Sequence, residues 1–165
     1  MRKILMITMM AVTAISTRAG EDDLNFNIGA GYLYENNLNA EFSVEKELRY
    51  GHAIALFFEA GNKMVKDPVC GKYCKDTFWD NYYWDGGAIY KHCLTQWKNS
   101  LLRINLGPNF GAVTGDFFLG FQLNLEYDIY FYNRWALSIT QKNQVGFLSG
   151  DTFRNGLMIG LKIPF

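Results

Sequence analysis

Proline is scarce in this chain, with 3 residues in 165, and cysteine equally so, with 3. Also lacking, past residue 20, is any apolar run near the roughly 18 residues that a helix needs to span a bilayer. That absence excludes a polytopic helical membrane protein. No charge of one sign dominates: 16 Lys+Arg stand against 16 Asp+Glu, so nothing points to nucleic acid or to an acidic partner. What is there is 49% hydrophobic and 16% aromatic, which excludes disorder, and the 16 glycines with few prolines lean toward β structure. A length of 165 residues suits one domain and not comfortably two.

The first residues read as an export signal. Arg2 and Lys3 precede an apolar run from Ile4 to Ile15, and Thr17-Arg18-Ala19 places small residues at −3 and −1 before Gly20. The run is too short for a transmembrane anchor, and Glu21-Asp22-Asp23 is the wrong flank for one. Residues 1–19 are therefore expected to be a signal peptide and 20–165 a single domain. Cleavage removes Arg2, Lys3 and Arg18, which leaves 13 basic and 16 acidic residues, a net charge of −3. In an oxidising compartment Cys70 and Cys74 could close a small disulfide in a turn-rich loop. Metal ligation lacks the second ligand pair that a structural zinc site needs. Cys93 has no obvious partner, and no cofactor is expected.

The rest of the chain alternates with period two. Leu24, Phe26, Ile28, Ala30 and Tyr32 share one face against Asn25, Asn27, Gly29 and Gly31. Leu38, Ala40, Phe42 and Val44 oppose Asn39, Glu41, Ser43 and Glu45, and Ile54, Leu56, Phe58 and Ala60 oppose Ala53, Ala55, Phe57 and Glu59. Such alternation is a strand with two unlike faces. A long loop is expected over 62–81, then a weak fourth strand over Tyr82–Lys91. Further strands follow at Leu102–Gly107, Leu119–Ile129, Trp135–Val145 and Gly156–Phe165. The total is eight strands of about ten residues, the length that crosses a bilayer at a tilt of about 45°.

Which face is wet decides the class. A soluble eight-stranded barrel has an apolar interior and a polar exterior. Here the polar face is rich in Gly, Ala, Ser and Asn and carries charges of both signs. Glu41, Glu45, Glu59, Glu126 and Asp128 could meet Arg103, Arg154 and Lys162 in a crowded lumen. The other face is large and apolar with Tyr and Trp toward the strand ends, as a lipid-facing surface requires. The expected fold is an all-β, eight-stranded antiparallel up-and-down transmembrane barrel in the bacterial outer membrane.

Two resemblances bear on function. The ending Gly160-Leu161-Lys162-Ile163-Pro164-Phe165 resembles the C-terminal signal that the barrel-assembly machinery reads, with Gly160, Ile163 and Phe165 carrying the pattern. The stretch Gly115-Asp116-Phe117-Phe118-Leu119-Gly120, the run to Glu126-Tyr127, and Tyr132-Asn133-Arg134 are similar to the core of the conjugative-transposon protein TraO family. Asp151-Thr152-Phe153-Arg154-Asn155-Gly156, followed by the last six residues, is similar to that family's closing strand. The resemblance covers about the last half of the chain. It implies a small exported barrel, a structural or docking component of conjugal transfer with other transfer proteins as partners, and no catalytic residue.

An outer-membrane enzyme would need a His-centred constellation near the outer leaflet. Only His52 and His92 exist. With a periplasmic N-terminus, both fall at the periplasmic rim, on the wrong side. Eight strands leave an interior just wide enough for side chains, so open conduction is not expected. Tyr82-Tyr83-Trp84 and Tyr130-Phe131-Tyr132 read as interface aromatics. The alternative function is a general small barrel for surface interaction or adhesion, contacting other cells or host molecules through the extracellular loop 62–81, with a lipid-modifying outer-membrane enzyme as a lesser alternative. Its partners in either case are outer-membrane lipid and the assembly machinery, not nucleic acid.

Overall fold

A computed structural model of the chain describes residues 24–33, 37–63, 69, 71, 82–131, 134–147 and 153–165. The expected signal segment, Cys70, Cys74, most of loop 62–81 and Tyr132-Asn133 lie outside the described residues. Eight strands follow in order: β1 Leu24–Leu33, β2 Asn37–Glu47, β3 Ala53–Lys63, β4 Tyr82–Gln96, β5 Ser100–Val113, β6 Asp116–Tyr130, β7 Ala136–Phe147 and β8 Phe153–Pro164. Each pairs antiparallel with the next, and β8 returns to β1, with Ile28 opposite Leu161 and Gly29 opposite Gly160. Closure satisfies every edge, which is what allows strands to stand in hydrocarbon.

The start of β1 and the end of β8 meet at one end of the barrel, its terminal end, where the Phe165 N–H donates to the Leu24 carbonyl at 2.8 Å. This terminal end also holds the β2–β3, β4–β5 and β6–β7 connections, and the far end holds the other four. The ten residues of β1, at about 3.3 Å each and inclined about 40°, rise about 25 Å, the height of a bilayer's apolar band.

Several strands outrun their expected bounds. β4 continues past Lys91 to Gln96, β5 spans Ser100–Val113, β6 begins at Asp116 and β8 at Phe153. Loop 62–81 correspondingly loses Asn62 and Lys63 to β3. The alternation blurs at Gly86-Gly87 and Gly107-Pro108 while the ladder goes on around them. A Cβ on Gly107 would come within 2.0 Å of the Ala88 carbonyl oxygen. Pro108, with no N–H to donate, sits where the β4–β5 ladder skips between Gly87↔Asn109 and Tyr90↔Leu106. Val113 and Asp116 are joined by Thr114 and Gly115, with φ of 49° and 94°, the left-handed pair that suits the twist of a tight hairpin.

Burial is inverted relative to a soluble barrel. Glu45, Glu59, Arg103 and Asp128 are fully buried, whereas Ile28, Phe42, Phe58, Leu123 and Leu157 are exposed around the outside. A water-facing wall of that composition would be a large unsatisfied apolar patch, so the soluble-barrel alternative fails. Aromatics gather toward the strand ends. Trp97 meets Tyr127 near the terminal end, ring centroids 6.3 Å apart, and Phe58, Trp84 and Phe110 form a row nearer the far end. The outer face is not uniformly apolar, however: β7 turns Gln141 and Asn143 outward, and β8 turns Asn155 outward.

Candidate functional site

The lumen holds the chain's concentrated chemistry, and strand alternation puts it there. Near the terminal end, β2 supplies Glu45, β4 Lys91, β5 Arg103, β6 Glu126 and Asp128, and β8 Lys162. Glu45 is the hub. It accepts from Arg103 Nη1, from Lys91 Nζ at 2.5 Å and from Lys162 Nζ at 3.1 Å. Lys162 also donates to Glu126 at 2.5 Å and to Asp128 at 2.7 Å, and Lys91 to Glu126 at 2.8 Å. Three carboxylates and three cations thus neutralise one another. That balance matters because a lone buried charge is far more costly than a paired one.

Above this cluster, Glu41 on β2 lies directly opposite Glu59 on β3 in the ladder. Like charges in register repel. Lys142 reaches across from β7, donating to Glu41 at 2.9 Å and making a close bond with Glu59. Glu59 also accepts from Asn39 and from the Tyr83 hydroxyl, each at 2.5 Å. The Tyr83 ring needs the space over Gly61, where a Cβ would stand 2.3 Å from its edge. Nearer the far end, Asp85 accepts from Asn109 at 2.9 Å and Gln144 at 2.5 Å. Arg154 lies between the Tyr83 and Phe118 rings, 4.9 and 5.0 Å from their centroids.

The sequence-derived charges therefore line the lumen. Arg103 and Lys162 meet Glu45, Glu126 and Asp128, while Arg154 stacks on aromatics and makes none of the ion pairs described. Sequence reasoning missed Lys91, Lys142 and Asp85. Their signal was available: continuing the alternation through Tyr83, Asp85, Ile89 and Lys91, and through Ser138, Thr140 and Lys142, aims each one inward. The same parity corrects two aromatics. Tyr83 is buried in the lumen, and Tyr130 turns to the terminal mouth, donating to Glu47 at 3.3 Å. Gly160 and Ile163 sit on β8, where Gly160 leaves room for the Asn27 and Ser138 side chains. Phe165 follows β8, is exposed, and packs edge-on against Phe26 at 5.1 Å.

His52 and His92 come together, ring centroids 4.7 Å apart, beside Tyr90. His92 does not end β4, which runs four residues further. The Cys93 backbone N–H donates to His52 Nδ1 at 3.1 Å, which ties that ring to β4. Cys93 itself is a free thiol beside a register shift in β4. Among the described residues no group of three or more His, Cys, Asp or Glu is placed to hold a metal.

Little space remains inside. A void of about 10 Å³ lies among Asn27, Ser43, Lys91 and Asn124, and a vestibule of about 360 Å³ opens at the terminal mouth between Glu47, Arg103 and Tyr130. The vestibule stops at the Arg103 cluster. In planar bilayers the folded protein is accordingly expected to give no stepwise ion conductance, and reproducible single-channel steps would contradict the plugged lumen.

No protein-family model matches this chain, and no curated protein matches it in sequence. Solved structures do match. Neisserial surface protein A (NspA) aligns over 88% of this chain and 98% of its own, with a TM-score of 0.63 at 9% identity. The Yersinia pestis outer membrane protein Ail aligns over 87% and 99%, with a TM-score of 0.56 at 12% identity. A de novo designed transmembrane β-barrel aligns over 89% and 98%, at 0.52 and 9% identity. At such identities the likeness is one of fold, and the fold is the closed eight-stranded antiparallel barrel of outer-membrane type.

Proposed function

We infer that this protein is a small outer-membrane barrel of the surface-interaction type, neither enzyme nor channel. The observation that carries the reading is the plugged, charge-paired lumen. Among the described residues the lumen offers no open route and no acid–base constellation, so the rims are what remain to meet other molecules. The longest connection, between Lys63 and Tyr82, leaves from the far end, opposite the termini. With the termini periplasmic, that loop faces outward. The likeness in fold to a Neisserial surface protein supports this reading.

A docking role in conjugal transfer is the second reading. It rests on the residues similar to the TraO family, chiefly Asp116 to Gly120 at the start of β6 and Phe153 to Gly156 on β8. No family model supports it.

One experiment separates the two. Residues 64–81 are replaced by a short Gly-Ser turn, and heat-modifiable migration on gels checks that the barrel still folds. Attachment to surfaces and to other cells should fall while transfer of a mobile element stays unchanged. A loss of transfer with attachment intact would instead favour the conjugal role, and no change in attachment would defeat the surface reading.

A further inference from the structure

Halfway up the wall, β1, β2, β5 and β6 present Ile28, Phe42, Leu106 and Leu123 to the outside. β7 presents Gln141. Its ladder partners are Leu125 on β6 and Leu157 on β8, both exposed and apolar, so this carboxamide stands within the apolar band and not at its rim. It makes no hydrogen bond with any described residue. The neighbouring amides behave differently. Asn143 turns its Nδ2 back to the Leu123 carbonyl at 3.0 Å, and its Oδ1 accepts from Asn155 Nδ2 at 2.5 Å. Its backbone N–H donates to Asn124 Oδ1 at 3.0 Å, where the β6–β7 ladder is interrupted. Those amides are satisfied within the wall, whereas Gln141 is left facing outward.

An unpartnered amide in hydrocarbon is unfavourable, and acyl chains offer it nothing. A carboxamide is its own complement, since it carries both a donor and an acceptor. A two-fold axis along the membrane normal sets a patch against itself. A second copy, inserted the same way round, necessarily brings its own Gln141 to the same depth. We propose that the β6–β8 wall is the contact of a homodimer within the membrane. In it each Gln141 donates to and accepts from its twin, and Leu125 and Leu157 pack around the pair. Polar side chains of this kind act as selective contacts between membrane segments.

The test uses the full barrel in lipid vesicles with Cys70, Cys74 and Cys93 replaced by serine, folding being checked by heat-modifiable migration. A Leu157→Cys reporter should form intermolecular disulfides readily, and Phe58→Cys on β3, across the barrel from β7, should not. Adding Gln141→Leu should lower Leu157→Cys coupling at least about tenfold, the loss expected for a pair of buried hydrogen bonds. The same change should raise the urea midpoint of dilute, monomeric barrels, because it removes a polar group from lipid. Equal coupling at the two reporter sites would overturn the proposal. So would coupling unaffected by Gln141→Leu, or a lowered urea midpoint, which would mean that Gln141 serves its own barrel.

Discussion

Glu45→Ala should lower barrel stability by about 3–5 kcal/mol in urea titrations in detergent or vesicles. The side chain is fully buried and contacts Lys91, Arg103 and Lys162 at once. Its removal leaves three buried cations sharing Glu126 and Asp128. A drop of this size is a large part of the roughly 5–15 kcal/mol that separates folded from unfolded in small proteins. Glu47→Ala supplies the contrast. Glu47 meets Arg103 at 3.4 Å at the terminal mouth, with its side chain 37% exposed, and the screened pair should contribute less than about 1 kcal/mol. If the two variants lost the same stability, Glu45 would not be the hub of a desolvated cluster.

Leu123→Arg should cost about 2–4 kcal/mol, because an Arg on the lipid face at mid-height has neither water nor a counter-charge. The same substitution at Ile129, on the same face but one residue from the end of β6, should cost only about 0–1 kcal/mol. That gradient along one strand measures depth directly, and the assay is again folded fraction against urea. Equal costs at the two positions would mean that the outer wall does not stand in a bilayer.

The sequence carried the architecture well because a barrel is built from one repeated rule. The period of two in Leu24–Tyr32 and Leu119–Ile129 is enough to separate wall from lumen, and an even number of strands lets the last pair antiparallel with the first. It carried the site less well. Lys91 and Lys142 lie where glycine, histidine or outward amides interrupt the apolar alternation, so parity had to be followed through residues that do not announce their face. Pairing was not legible at all. Which carboxylate meets which cation depends on how far each strand slides past its neighbours around the circle, and no local stretch contains that information. Lys142 as the partner of Glu59 could not be read from either strand alone. Gln141 was passed over for the opposite reason, since one amide in an apolar run looks like noise until its surroundings are known.

The distribution of lumen charge along the chain has a consequence for how the barrel comes together. Among the described side chains, β1 to β4 place the carboxylates Glu41, Glu45, Glu59 and Asp85 in the lumen and Glu47 at its mouth, against the cation Lys91. β5 to β8 turn four cations inward, Arg103, Lys142, Arg154 and Lys162, against Glu126 and Asp128. Each half of the sequence is thus an electrically unbalanced ribbon, one acidic and one basic, and the β2–β3 hairpin repels itself until Lys142 arrives from the seventh strand. Either half taken alone would carry lumen charges without their partners, and lipid offers none. The second ribbon is thus the counter-ion of the first, and a four-strand fragment is expected to insert poorly beside the whole barrel.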